Sequence, residues 1–362
     1  MPARRVPTPS TGRRMRAALV SLLAVVVLGS CSAAPTASHP TDPFRAPSSS
    51  GSAAGSPGQS QAPTTTPAQV TTVTATTLSV RLPAPASRVV AVAADGQVLL
   101  LGGLVAGNTS AQVLRLDPPA AAITAVGRLA HATHDAGGAV LGGSAFVLGG
   151  GVQASADWVQ SVPVAGGAGT LVGHLPTPRS DHVVASDGTT AYVVGGYATG
   201  TELTDVLATT DGRTFHIVAH LMTGVRYAAA ALVGGALWVV GGQHGGAQVD
   251  IVQRVDLATG AASVDGHLAA PLSHATATVL DGTLLVVGGL SAGKHLDAIE
   301  RLDTATGATS LVGHLPSAAS DTAVAVLGDA AYVVGGETAA AGSTHPLDTV
   351  VRLTIGPASA AP

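Results

Sequence analysis

A Gly-Gly pair that returns at an almost fixed interval constrains this chain more than any other feature. It occurs as Gly102-Gly103, Gly149-Gly150, Gly195-Gly196, Gly241-Gly242, Gly288-Gly289 and Gly335-Gly336, at successive intervals of 47, 46, 46, 47 and 47 residues. A period held that tightly marks one structural unit copied six times. Each pair closes a hydrophobic run: Val98-Leu99-Leu100-Leu101, Phe146-Val147-Leu148, Tyr192-Val193-Val194, Trp238-Val239-Val240, Leu285-Val286-Val287 and Tyr332-Val333-Val334. Each run follows a pair suited to a tight hairpin turn, namely Asp95-Gly96, Gly142-Gly143, Asp187-Gly188, Gly234-Gly235, Asp281-Gly282 and Gly328-Asp329. An Ala/Val-rich run precedes each turn. After each Gly-Gly come a variable loop, a third strand such as Gln112 to Leu116, and a fourth ending like Gly173-His174-Leu175-Pro176.

Four short strands in each unit are the grammar of β-propeller blades. The predicted fold is therefore all-β, a six-bladed β-propeller of four-stranded blades over residues 71–356. From about residue 73 to 356 the units resemble Kelch repeats, whose mark is a hydrophobic run closing on Gly-Gly. Two features depart from that family. The Tyr and Trp that usually follow Gly-Gly are absent, and an Asp precedes several third strands (Asp157, Asp205, Asp250, Asp297 and Asp348). The last unit stops after its third strand, whereas Thr72 to Arg81, running on into Leu82-Pro83, matches the fourth-strand ending of the others. The N-terminal strand is thus expected to complete the last blade, which removes open sheet edges.

The composition agrees with many tight turns around a core of small aliphatic side chains. Hydrophobic residues make up 46% and aromatic residues 2%, with 46 Gly and 22 Pro. No apolar run after Cys31 is long enough for a spanning helix. Ahead of the repeats, Arg13, Arg14 and Arg16 precede an apolar stretch from Ala17 to Leu28, and Leu28-Gly29-Ser30-Cys31 has the form of a bacterial lipobox. Residues 1–30 are expected to be a lipoprotein signal peptide, starting at Met1 or Met15, with Cys31 the lipidated residue. Arg16 and Ala17 fit a twin-arginine signal poorly. Residues 31–70, rich in Ser, Ala, Pro and Thr, bury too little surface to order themselves and are expected to form a tether, with a reach of roughly 35 Å. Residues 357–362 form a short tail. The predicted location is the outer face of the cell membrane, reached only through the lipid.

Five of the 17 basic residues precede Cys31, which leaves 12 against 21 acidic residues in the body. That balance excludes nucleic acid as a partner. No G-x-S-x-G elbow, P-loop or H-E-x-x-H motif occurs, and the single cysteine is the lipobox Cys31. No cofactor is expected.

One register nominates a site. Arg88, Asp135, Asp181, Tyr227, His274 and Asp321 recur with the repeat at the head of otherwise apolar strands, where propellers deliver side chains to the channel mouth. Such a varied polar set suits a small-ligand site, although the same residues would also serve to cap strands. His174, His220, His267 and His314 recur at outer-strand positions, which diverge radially and cannot share a metal. In His131-Ala132-Thr133-His134 two imidazoles lack a third ligand, so no metal site is expected. The favoured function is a non-enzymatic, monomeric binding or scaffold module for a protein or a small carbohydrate or cell-wall ligand. The alternative is an exported sugar-modifying enzyme resembling the Kelch-type sialic acid epimerases. That resemblance implies Arg88 for a carboxylate, with His274 or an Asp as acid or base.

Overall fold

The computed structural model describes residues 72–340 and 343–356. The expected signal peptide, Cys31, the whole tether and the tail lie outside them. The described residues are all-β, and none of them is helical.

Each unit folds as a four-strand antiparallel meander. In the second, Gly137–Leu141, Ser144–Leu148, Trp158–Pro163 and Thr170–His174 pair in chain order. Five of the six turn pairs act as read from the sequence and close two-residue hairpins, whereas Asp187-Gly188 begins a four-residue loop between Ser186 and Ala191. Gly142 and Gly143 both have positive φ, and so do Asp95 with Gly96 and Asp281 with Gly282, the condition for a tight hairpin that follows strand twist. The first sheet carries a fifth strand, Gly167–Ala168, which runs parallel to its fourth, Ala122–Arg128. In the last sheet the outermost strand is Thr72–Arg81, antiparallel to Thr349–Gly356, with Thr72 opposite Gly356.

The hydrophobic runs build six clusters, and each cluster joins two sheets. Val90, Leu99, Leu101 and Val113 of the first sheet pack with Ala145, Val147 and Val162 of the second. Val98, Leu100 and Leu116 of the first also pack with Tyr332, Val334 and Val350 of the last. Leu99 and Leu100 are each only 1% exposed. Burial on this scale stabilises by about 1.5–3 kcal/mol per large aliphatic side chain.

Contact between units explains the Gly-Gly pair. The N–H of the second glycine donates to a carbonyl in the segment leading into the next unit: Gly103 to Thr133, Gly150 to Arg179, Gly196 to Val225, Gly242 to Leu272 and Gly289 to Ala319. Gly336 makes the same bond to Ala86, near the start of the repeats. The first glycine has φ between +58° and +67°. A Cβ there would come within 2.3–2.7 Å of that same carbonyl oxygen. Only glycine tolerates both the conformation and the approach.

Candidate functional site

The six residues of the nominated register head the inner strands, and the structure gives them one shared conformation. Arg88, Asp135, Asp181, Tyr227, His274 and Asp321 have φ of +52° to +60°. The backbone links them in series. Asp181 N–H donates to Asp135 carbonyl oxygen (3.0 Å), Tyr227 to Asp181 (2.8 Å), His274 to Tyr227 (2.9 Å), Asp321 to His274 (2.9 Å) and Arg88 to Asp321 (3.0 Å). The backbone at this register thus has a structural task of its own, while the side chains vary.

Together the six side chains line one cavity of about 130 Å³. Further along the same inner strands lies a cavity of about 370 Å³ walled mainly by Ala and Val from six of the sheets. Beside the small cavity, a pocket of about 410 Å³ is lined by His134, Asp135, Ser155, Ser180, Asp181, Tyr197, Thr199, Arg226 and Tyr227, together with the Gly151–Ala154 turn.

Several of these groups were not singled out in the sequence, although each adjoins a register that was. Ser180 and Arg226 immediately precede hexad residues, as does His134, which the sequence offered only in its pairing with His131. Tyr197 and Glu337 immediately follow a Gly-Gly pair, and single antiparallel bridges tie the two positions together, as in Ser180 with Tyr197 and Ser320 with Glu337. Glu202, one turn beyond Tyr197, has no such periodic signature.

Arg88 donates to Asp135 Oδ2 at 3.0 Å and lies 3.8 Å from Asp321 and 3.6 Å from Glu337. Burial opposes its charge, but Asp135, Asp321 and Glu337 outweigh it and hold the guanidinium above its usual pKa. Arg226 lies 3.7 Å from Asp181 and 4.0 Å from Glu202, and over the rings of Tyr197 (4.5 Å) and Tyr227 (5.3 Å). Tyr227 stacks on His274 with ring centroids 4.0 Å apart.

This crowding moves the protonation equilibria. Burial first, and then Asp135, push the Asp181 carboxyl up to about 6 against the pull of Arg226. Asp321 rises to about 7, chiefly through burial, with Arg88 opposing and Glu337 and Asp135 adding to it. Burial and the two arginines lower His274 to about 4, so it is neutral at physiological pH, with Nδ1 2.8 Å from Ser273 Oγ. Burial pushes the Tyr227 phenol up. The mouth therefore holds two carboxyl groups that exchange protons near neutrality, beside fixed positive charge.

His182, next to Asp181, also lines the small cavity. It is 7% exposed, with its ring packed against the Leu148–Gly149 backbone. Burial and Arg179 lower it to about 3, with only the Leu148 backbone favouring its charged form.

The recurrent histidines occupy the outer rim. His174, His267 and His314 place Nδ1 at 3.1, 3.2 and 3.3 Å from Asp157, Asp250 and Asp297. Arg81 meets Asp348 at 3.8 Å in the same position. Asp205 does not belong to this series. It pairs in register with His220, so Thr204 takes the equivalent place and lies 3.4 Å from His220. Asp205 instead receives both ends of the Arg179 guanidinium, at 3.1 and 2.8 Å. Arg179 is fully buried at a position held by Ala86, Thr133, Val225, Leu272 and Ala319 in the other units.

The two imidazoles of the His131–His134 segment are engaged separately. His131 stacks on Trp158 (4.3 Å), and His134 lies 3.0 Å from Thr109 Oγ1 and 3.5 Å from Asp135. Among the described residues, no group of three or more His, Cys, Asp or Glu could hold a metal ion.

A family profile for the Kelch motif matches residues 271–308. No curated protein matches the chain. The chain is similar to the solved structure of YjhT, with a TM-score of 0.65 and 16% identity, over 76% of this chain and 99% of that one. At that identity the likeness is one of fold, and with the motif match it makes this a Kelch-repeat propeller fold.

Proposed function

We propose that the chain is a six-bladed propeller closed by its N-terminal strand, displayed through a lipid on Cys31 at the outer membrane face, and that it binds a small ligand at the channel mouth without catalysis. Closure is supported by three contacts between the last unit and the first: Thr72–Arg81 against Thr349–Gly356, Gly336 to Ala86, and Arg88 to Asp321. Truncation through residue 82 should lower the melting temperature well below that of a chain lacking only residues 32–65. Equal melting temperatures would refute closure.

One observation carries the binding reading. Twelve non-glycine residues have positive φ among the described residues, and six of them are the hexad. For an L-residue this conformation costs about 1–2 kcal/mol, least for Asp and more for Arg or Tyr. Elsewhere the chain meets the same demand mostly with glycine. Retaining Arg88, Tyr227 and His274 here sacrifices stability for side chains, which is the mark of recognition.

Binding is favoured over catalysis because two of the groups the enzyme resemblance would call on, Arg88 and His274, are already engaged. Arg88 is taken up by internal carboxylates, and His274 is neutral and stacked. A thermal-shift screen against sugars, peptidoglycan fragments, metals and peptides tests this reading. A ligand at 100 times its Kd adds about 2.7 kcal/mol. Arg88→Ala, Asp181→Ala and Asp321→Ala should each reduce that gain while leaving the unliganded protein folded. A ligand whose shift survives all three substitutions refutes the site. Cys31→Ser should release the protein from membranes, and continued membrane fractionation with fatty-acid label would refute the anchor.

A further inference from the structure

We propose that the fifth unit carries a second binding site, for an aliphatic primary amine whose ammonium pairs with Glu300. The pocket concerned shares no lining residue with the mouth cavity, so this site stands whether or not the mouth binds a ligand.

A cavity is the first observation. A pocket of about 100 Å³ opens between the segment leading into the fifth unit and that unit's own strands, lined chiefly by Leu268, Ala270, Leu272, Val286 and Ala298, with Glu300 its one charged residue. The corresponding place in the sixth unit, among Leu315, Ala319, Val333, Thr349 and Val351, holds only about 30 Å³. In the second unit His131 stacks there on Trp158 at 4.3 Å. In the fourth, Thr223 and Ile251 stand where the fifth has Ala270 and Ala298. Two alanines thus leave open what larger side chains occupy elsewhere.

The second observation is the register of Glu300, opposite Val286 on the third strand. Leu114, Gln160, Leu207, Gln253 and Val351 hold that register in the other units. Both glutamines are fully buried and clamp one residue of the incoming segment by its two backbone groups. Gln160 accepts from His131 N–H (2.7 Å) and donates to His131 carbonyl oxygen (3.1 Å). Gln253 does the same to Thr223, at 2.9 and 3.1 Å. An ionised carboxylate only accepts, so Glu300 cannot close such a clamp on Ala270. Among the described residues Glu300 has no hydrogen-bond or ion-pair partner, and the adjacent Arg301 is taken up by Asp303 at 3.3 Å. A partly buried acid is thus left unpaired on the wall of an apolar pocket. Such a charge has lost hydration that a bound cation restores.

Apolar walls with one charged acceptor select the ligand. An apolar cavity of about 150 Å³ holds benzene, so this smaller one suits a chain of roughly three or four carbons. An ammonium head carries three donors and the complementary charge. A hydroxyl head lacks the charge, and a carboxylate head repels Glu300. A free alkylamine and a lysine side chain share the required chemistry.

Methyl NMR titrations of the full chain with n-butylamine, n-butanol and butyrate test the proposal, because the three carry similar short chains and differ in the head group. Butylamine, as its ammonium, should move the methyl signals of Ala270, Leu272 and Ala298 and bind at least fivefold more tightly than either analogue. Glu300→Gln and Ala298→Ile install the residues that the fourth unit carries at these positions, and melting curves check that both variants fold. The first should weaken butylamine at least fivefold and the second should abolish its binding, while Asp181→Asn at the mouth should leave it unchanged. Nα-acetyl-lysinamide distinguishes the sources: affinity equal to butylamine assigns the pocket to a lysine side chain, and affinity at least fivefold weaker assigns it to a free amine. Butanol binding as tightly as butylamine, or undiminished binding to Glu300→Gln, would show that the carboxylate plays no part and overturn the proposal. Binding that survives Ala298→Ile would refute the pocket, and binding lost in Asp181→Asn alone would move the amine to the mouth. Methyl signals that do not respond to butylamine overturn the site outright.

Discussion

The outer rim and the channel mouth obey the same 46–47-residue period but spend it differently. At the rim the period repeats side chains: an imidazole on the fourth strand meets an aspartate before the third in three units. These groups are half exposed and diverge from one another. At the mouth the period repeats a backbone conformation, φ of +52° to +60° with inter-unit hydrogen bonds, while four different residue types occupy the six places. Rim side chains each serve their own sheet. Mouth side chains converge on one cavity, where any repetition of like charge raises the cost of ionisation.

The mouth's backbone depends on the glycine junctions, so the largest effect is expected there. Gly335→Ala places a Cβ 2.3 Å from Ala86 carbonyl oxygen, between the last unit and the first. It should cost about 3 kcal/mol or more in urea unfolding. Gly96→Ala, also left-handed but with open space around it, should cost only about 1 kcal/mol. Equal losses would mean that backbone strain alone, not the junction, is being measured.

Arg179 comes next. Arg179→Met strands Asp205 without its bidentate partner and should cost about 2–3 kcal/mol, less than for a fully dry pair because Asp205 is partly exposed. Adding Asp205→Thr should recover most of the loss. No recovery would show that Arg179 acts through packing.

A smaller effect separates the mouth acids from the rim. Asp321 ionises less readily folded than unfolded, so its contribution to stability is complete below pH 4 and is lost as pH rises through about 7. His274 and His182 act in the opposite sense, costing stability as pH falls below 6.5. The Asp321→Asn variant isolates the first term: its melting temperature should gain on the parent's by at least about 2 °C between pH 5 and pH 8. A constant difference would contradict the proposed burial of the charge.

The smallest effect belongs to the rim. Asp250→Ala removes an exposed pair with His267 and should change stability by no more than about 0.5 kcal/mol. A loss above 2 kcal/mol would make the rim pairs structural determinants and erase the contrast with the mouth.

The amino-acid sequence determined the unit, its strands, its turns and the register of the mouth, because each is periodic and therefore visible without knowing any distance. Gly-Gly was legible as punctuation, and the hexad as polar heads on apolar strands. Which side chains meet was decided only by the tertiary structure. Asp205 looked like Asp157 in the sequence, yet a one-residue offset gives Thr204 the rim position and turns Asp205 to the buried Arg179. Arg226, Tyr197, Glu202 and Glu337 belong to the mouth through bridges and loops that vary in length between units. The raised Asp181 and Asp321 and the lowered His182 follow from burial beside specific charges. Hydrophobic period and turn chemistry act over a few neighbouring residues. Electrostatic coupling depends on separations of a few ångströms between residues 47 to 250 positions apart, as between Arg88 and Asp135 or Ser87 and Glu337, and such distances exist only once the chain has folded.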